Sequence, residues 1–482
     1  MAVHPARVVT VARPGLAYAL DAPYDAPNPV YEAVETMFRR LGLDAARAGT
    51  PEWNPLGDVI SPGDRVVIKP NLVSSKNLEQ KITGDKLAAS STHGSLLRPV
   101  LDYALRAAGA RGQIRVIDSP VEGCEIEKVA GPLGIFDVID HLKSQGHDVA
   151  FIDLRYFRVA PVFALDDVRR FGRSWNLGLL LRRRLPGDPR GYSVVDLGRS
   201  SSFADSSAPR QSALRFHRSH YRTPVPHHTE QRNEYSIPRT LLEADVVINL
   251  PKMKTHKKTG ITLALKSVIG LTNEKYWLPH FTEGDPSVGG DEFDRPQHLS
   301  EAVESKLSRF PLPGDNSLVA RAPRASGPPR IIDGSWEGNS TLWRTILDLN
   351  RILFFADREG KLRGEPQRRY LTLVDGIVAG EGEGPLGATP VHAGLLVGGF
   401  DPSLVDAVCA GVMGLDPARI PLIREALGGV LLPSGHIEGV EHILDGPAPS
   451  HRFKPPRSWP SLLSAPSKQP LSARPPAPSG PR

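Results

Sequence analysis

The sequence predicts an α/β fold: mostly parallel sheets with flanking helices, arranged as two lobes around a cleft, plus a disordered C-terminal tail. Three observations carry this. Short β-branched runs such as Arg65–Lys69 (RVVIK) and Val246–Leu250 (VVINL) read as strands buried on both faces. Amphipathic stretches separate such runs at βαβ intervals. From Gly446 onward, eleven prolines in 37 residues, with serine and basic residues, preclude a packed core.

Taken in order, Arg7–Ala12 is a strand and Pro29–Leu41 a helix. Arg65–Lys69 follows the turn Ser61–Asp64 and ends in Pro70-Asn71. Ser95–Ala108 has helical spacing and stops at Gly109. Ile114–Ile117 ends in Asp118-Ser119-Pro120, and His147–Leu154 is the next strand. These elements make a first lobe, 5–154. The Arg-, Ser- and His-rich stretch 155–239 is weakly periodic and reads as an inserted cap or lid. A second lobe, 240–445, begins with Val246–Leu250. After Pro251, a helix is expected to start at Thr259-Gly260 and carry Ile261, Leu263, Leu265 and Val268. Gly289–Arg330 is a polar connection, Ser340–Phe355 an amphipathic helix, and Tyr370–Val374 a strand. The Gly-rich segment Asp375–Gly387 reads as a loop before the strand Leu395–Val397 and the helix Pro402–Val412. The disordered tail is 446–482.

Charge gives little support to one class of partner. The formal charge is +6, but the tail has six basic residues and no acidic one, which leaves 53 of each sign elsewhere. A basic excess confined to a tail gives no reason to expect nucleic acid. Cys124 and Cys409 are too few for an iron–sulfur cluster or disulfide framework and read as buried structural thiols. There is no signal-peptide pattern and no apolar run long enough to cross a membrane. A soluble cytoplasmic protein without membrane insertion is the expectation.

The chemistry concentrates at strand ends. Lys69 and Asn71, Asp118, and Lys252 and Lys254 each follow an apolar run, and in an open parallel sheet such ends line the ligand-binding edge. The lysines suit phosphate or carboxylate groups. His256, placed just before the expected helix, would stay neutral as an acid/base. Lys266 lies in an apolar segment, where burial would lower its pKa and make it an anchor or nucleophile. His93 and His280 are second candidates as base or ligand. Glu381 and Glu383 could hold a hard cation such as Mg²⁺. His217, His220, His227 and His228 lack a metal-site pattern and are expected on the surface.

The chain also resembles the domain-of-unknown-function 362 family over roughly residues 5–440. The resemblance rests on Val67–Val73, Thr92-His93, Asp118–Pro120, Asp245–His256, Thr259–Lys266, Val374–Gly376, Glu383–Pro385 and Asp401–Asp406. Some members carry a ferredoxin-like cysteine cluster, which this chain lacks. More distantly, His256, Gly260 and Lys266 resemble in spacing a segment of nickel-pincer lactate racemases, with His280 two residues from the corresponding place. That resemblance implies a nucleotide-type cofactor anchored on Lys266, a divalent metal on His280 and acid/base work by His256. Thr262–Leu265 replaces that family's small residues. The expected function is racemase- or isomerase-like acid/base or cofactor-assisted chemistry on a small anionic ligand. Two alternatives stay open: a Mg-dependent nucleotide-using transferase or ligase, and a non-catalytic anion- or metal-binding protein.

Overall fold

The structure, a computed structural model, describes residues 6–77, 80–159, 182–205, 207–216, 225–292, 333–431, 439–449 and 451–463. Ten strands form the main sheet: β1 (Arg7–Ala12), β2 (Arg65–Pro70), β3 (Gln113–Asp118), β4 (Val149–Asp153), β5 (Val246–Leu250), β6 (Lys252–His256), β7 (Gly260–Thr262), β8 (Arg369–Glu383), β9 (Gly387–Gly399) and β10 (Glu441–Asp445). The helices used below are α1 (Pro29–Leu41), α2 (Asp85–Ser90), α3 (Gly94–Ala108), α4 (Ile135–Ser144), α5 (Ala264–Ser267), α6 (Leu342–Phe355) and α7 (Pro402–Val412).

Strand order is β10-β1-β9-β8-β5-β2-β3-β4, with β6 paired to β8 and β7. β8, β5, β2, β3 and β4 run parallel, so their C-terminal ends share one edge. β9 turns back antiparallel on β8 and β1. The two halves of the chain join within this sheet, because β2 pairs directly with β5.

Strand alternation divides the core. Val66, Ile68, Val246 and Ile248 face α1, α3 and α4, whereas Val67 and Val247 face α6 and α7. Local chemistry sets the helix limits. Asn28 caps α1 by accepting from the Val30 and Tyr31 amides, Pro29 fills its first turn, and Gly42 ends it with φ of 82°.

Three sequence expectations change. The segment after Pro251 is a β6–β7 hairpin, and the helix begins only at Ala264. The Gly-rich segment is the strand hairpin β8–β9. Its glycines allow close packing: a Cβ on Gly380 would sit 2.7 Å from the Ala89 carbonyl oxygen, and one on Gly384 2.0 Å from that of Thr255. Finally, residues 451–463 of the expected tail pack on the fold, with Phe453, Trp459 and Leu462 in the core. Residues 464–482 lie outside the described residues, as does most of the polar connection 289–330.

Described parts of the 155–239 insertion form short strand pairs and pack near α6, where Ser201 and Tyr235 donate to the Asp348 carboxylate. His228 is buried, in contrast to the surface position expected, and desolvation lowers its pKa to about 4. His227 stacks on Trp277. His217 and His220 lie outside the described residues.

Candidate functional site: a buried lysine cluster at the strand ends

The C-terminal edge of the parallel strands carries two buried ion pairs. Lys69 at the end of β2 meets Asp118 at the end of β3 at 2.7 Å, with both side chains 1% exposed. The Lys69 ammonium also donates to the Pro70 carbonyl, while Asp118 accepts the Leu72 and Ser119 amides, each at 2.7 Å. Burial pushes the Lys69 ammonium down, and Asp118 pushes back. Gly270 lies flush against this pair, since a Cβ there would come 2.3 Å from Asp118 Oδ1 and 2.6 Å from Lys69 Nζ.

The second pair is Lys252 with Asp375, opposite each other on β6 and β8 and 3.1 Å apart. The Tyr18 hydroxyl ties it together, accepting from Lys252 at 2.6 Å and donating to Asp375 at 2.7 Å. His93 stacks on Tyr18 with ring centroids 4.0 Å apart. Its backbone amide donates to Asp375, and its Nδ1 accepts the Ser95 amide to cap α3. Burial lowers the His93 imidazole to about 4. These contacts make His93 a neutral structural element beside the Lys252 pair.

Between the pairs lie lysines without carboxylate partners. Lys254, fully buried on β6, donates to the Ser90 carbonyl at the end of α2. Its charge is disfavoured first by burial and then by Lys266 and Lys252. Lys275 donates to the Ile269 carbonyl at 2.5 Å, and burial takes its pKa to about 7. Lys266 also sits near 7, lowered by burial and then by Lys258 and Lys69. Among the described residues, Lys266 has no hydrogen-bond or ion-pair partner.

The one-turn helix α5 carries Lys266, and one strand and one helix fasten its backbone. Asn249 lies in register with Lys69 on the same sheet face. Its amide donates to the Ala264 carbonyl and accepts from the Ser267 hydroxyl. Asp406 on α7 accepts the Ala264 and Leu265 amides at 2.7 and 3.0 Å. A side chain of the protein thus already occupies the amides at this helix N-terminus. Burial raises the Asp406 carboxyl to about 8.

Two histidines within the electrostatic reach of Lys266 have opposite tautomers. His256 Nδ1 accepts the Lys258 amide at 3.1 Å, so its neutral ring carries the proton on Nε2. His280 Nδ1 lies 2.8 Å from the Leu278 carbonyl and must donate to it, leaving Nε2 with a lone pair. Burial, reinforced by surrounding lysines, holds both imidazoles well below their usual range. At neutral pH the site therefore offers a donor at His256 and an acceptor at His280.

The structure therefore brings together Lys69, Asp118, Lys252, Lys254, His256, Lys266 and His280, with His93 at one margin. Asn71 joins this edge through its backbone, which bonds to Thr92 in both directions, while its side-chain oxygen is buried without a partner. Glu381 and Glu383 do something else. Glu381 accepts the Lys454 amide and lies 3.3 Å from His451, and Glu383 accepts the Arg457 amide and meets Lys257 at 3.3 Å. They fasten the C-terminal segment. Among the described residues no three His, Cys, Asp or Glu side chains are grouped to hold a metal. Residue-by-residue reading passed over Tyr18, Asn249, Gly270 and Lys275, which act through tertiary contacts. Asp406 and Asp375 were visible only as parts of longer motifs.

Residues 201–411 match the family described as Domain of unknown function (DUF362). Over that segment the chain is similar to this family. The matched segment supplies β5–β9, α5–α7 and most of the lysine cluster, while Tyr18, Lys69, His93 and Asp118 come from outside it. A thylakoid-associated protein of Synechocystis sp. is 24% identical over 201 residues, and the match spans 41% of each chain. A crystal structure of a Thermotoga maritima protein aligns at 13% identity, over 75% of this chain and 53% of that one, with a TM-score of 0.29.

Proposed function

We propose that this edge binds a small anionic substrate and performs acid/base chemistry on it, of racemase or isomerase type. The observation that supports the reading is a set of buried lysines without counter-charge, whose ammonium forms a bound anion would restore. Asp118 and Asp375 neutralise Lys69 and Lys252, while Lys254, Lys266 and Lys275 form no ion pair among the described residues. Burying an ammonium without a counter-charge costs several kcal/mol, which a bound carboxylate or phosphate would offset. His256 would donate to a substrate oxygen from Nε2, and His280 would accept a proton at Nε2.

Calorimetric titration with inorganic phosphate and with L-lactate tests the binding. Lys254→Met and Lys266→Met should each weaken it about tenfold or more, roughly 1.4 kcal/mol. Proton NMR in D₂O tests the chemistry, with deuterium entering the carbon next to a carboxylate only when His280 is present. Anion binding indifferent to both lysines would refute the site.

A further inference from the structure

We propose that Lys266 is a covalent nucleophile, forming an imine with an anionic aldehyde or ketone, such as a 2-oxo acid or a phosphorylated ketose. The inference rests on the anion-site reading above and names the substrate class for that site.

The other lysines of the cluster already have acceptors: Asp118 and the Pro70 carbonyl for Lys69, Asp375 and Tyr18 for Lys252, Ser90 for Lys254, Asp333 for Lys258 and Ile269 for Lys275. Among the described residues Lys266 alone in this group lacks one, and unlike Lys254 it is not sealed from solvent. A lysine kept only for charge would gain from an ion pair. An amine that must attack carbon needs its lone pair unengaged, and burial, followed by the nearby Lys258 and Lys69, supplies that by disfavouring the ammonium form. The helix that carries it is pinned at Asn249 and Asp406, so the amine is delivered from a fixed backbone.

The neighbours match the steps. The Lys266 nitrogen adds to the carbonyl carbon while His256 Nε2–H donates to the carbonyl oxygen. A proton then moves from nitrogen to that oxygen to give the carbinolamine. Loss of water from this adduct breaks the C–O bond and leaves C=N. No oxidant or reductant is required. The imine takes a proton from solvent on nitrogen, the resulting iminium acidifies the adjacent C–H, and His280 Nε2 is the available acceptor for that second proton. Lys258, which is partly exposed, would exchange Asp333 for the substrate's carboxylate or phosphate, with the buried Lys254 taking up a proton behind it.

The test incubates the full chain with pyruvate, dihydroxyacetone phosphate or acetone in the presence of sodium cyanoborohydride, followed by peptide mass mapping. One reduced adduct per chain on Lys266 is expected with an anionic carbonyl compound, and at least tenfold less with neutral acetone. Lys266→Arg, whose guanidinium forms no such imine, should abolish that adduct. Labelling spread over surface lysines, or no Lys266 adduct with either anionic probe, overturns the proposal. If phosphate still binds through Lys254 in that case, the anion-site reading survives without imine chemistry; if phosphate also fails to bind, both fall.

Discussion

Asp118→Asn tests the energetic logic of the site most directly. Asp118 faces Lys69 at 2.7 Å with both side chains 1% exposed, so the substitution leaves an ammonium buried without its counter-ion. The new amide also keeps one acceptor oxygen where the carboxylate used two, one toward Lys69 and Ser119 and one toward Leu72. Breaking a buried pair by removing one partner costs about 3–5 kcal/mol, a large share of the roughly 5–15 kcal/mol that stabilises a domain. Because burial lowers the Lys69 pKa, loss of Asp118 lowers it further. The unfolded chain then holds a proton that the folded state sheds, so the stability of the variant must rise with pH up to the unfolded lysine value of about 10.4. Lys69→Met combined with Asp118→Asn removes the stranded charge and should recover all but about 1–2 kcal/mol, the residue of unmatched amide contacts. Urea unfolding of the single and double variants at neutral and alkaline pH reads all three quantities. The reasoning fails if Asp118→Asn costs less than about 1 kcal/mol, is insensitive to pH, or gains nothing from the second substitution.

Two further outcomes follow from the same structure. Sulfate does not titrate near neutrality, and its binding should draw about half a proton onto Lys266 at pH 7, because that amine sits near 7 when free and an adjacent anion raises it. Affinity should therefore strengthen as pH falls toward 7 from above; calorimetry in buffers of different ionisation enthalpy measures the uptake, and an equal uptake in Lys266→Met would assign the proton elsewhere. Trp459→Ala should destabilise by about 3–5 kcal/mol, since the indole is buried, packs over Gly260 and donates to the Lys257 carbonyl at 2.6 Å. A change below about 1 kcal/mol in thermal unfolding would mean that residues 451–463 contribute little to the fold.

By itself the sequence determined the α/β class, the strands from Arg7 to Asp153 and at Val246–Leu250, and the sheet edge on which the lysines gather. Period-two burial and caps such as Asn28 and Gly42 act within a few residues, so they are legible without a fold. It also identified Lys69, Lys252, Lys254, His256, Lys266 and His280, because charge beside an apolar run is a local signal. Only the tertiary structure decided which of these charges are matched. Asp118 and Asp375 reach their lysines across strands far apart in the chain, and Tyr18 joins one pair from a segment without any recognisable pattern. The helix expected at Thr259 became a hairpin because β6 could pair with β8, and that gain lies outside local propensity. Glu381 and Glu383 looked like cation ligands until the C-terminal segment folded back onto them. Burial and counter-charge separate a solvated lysine from a reactive one, and both depend on what the rest of the chain brings alongside.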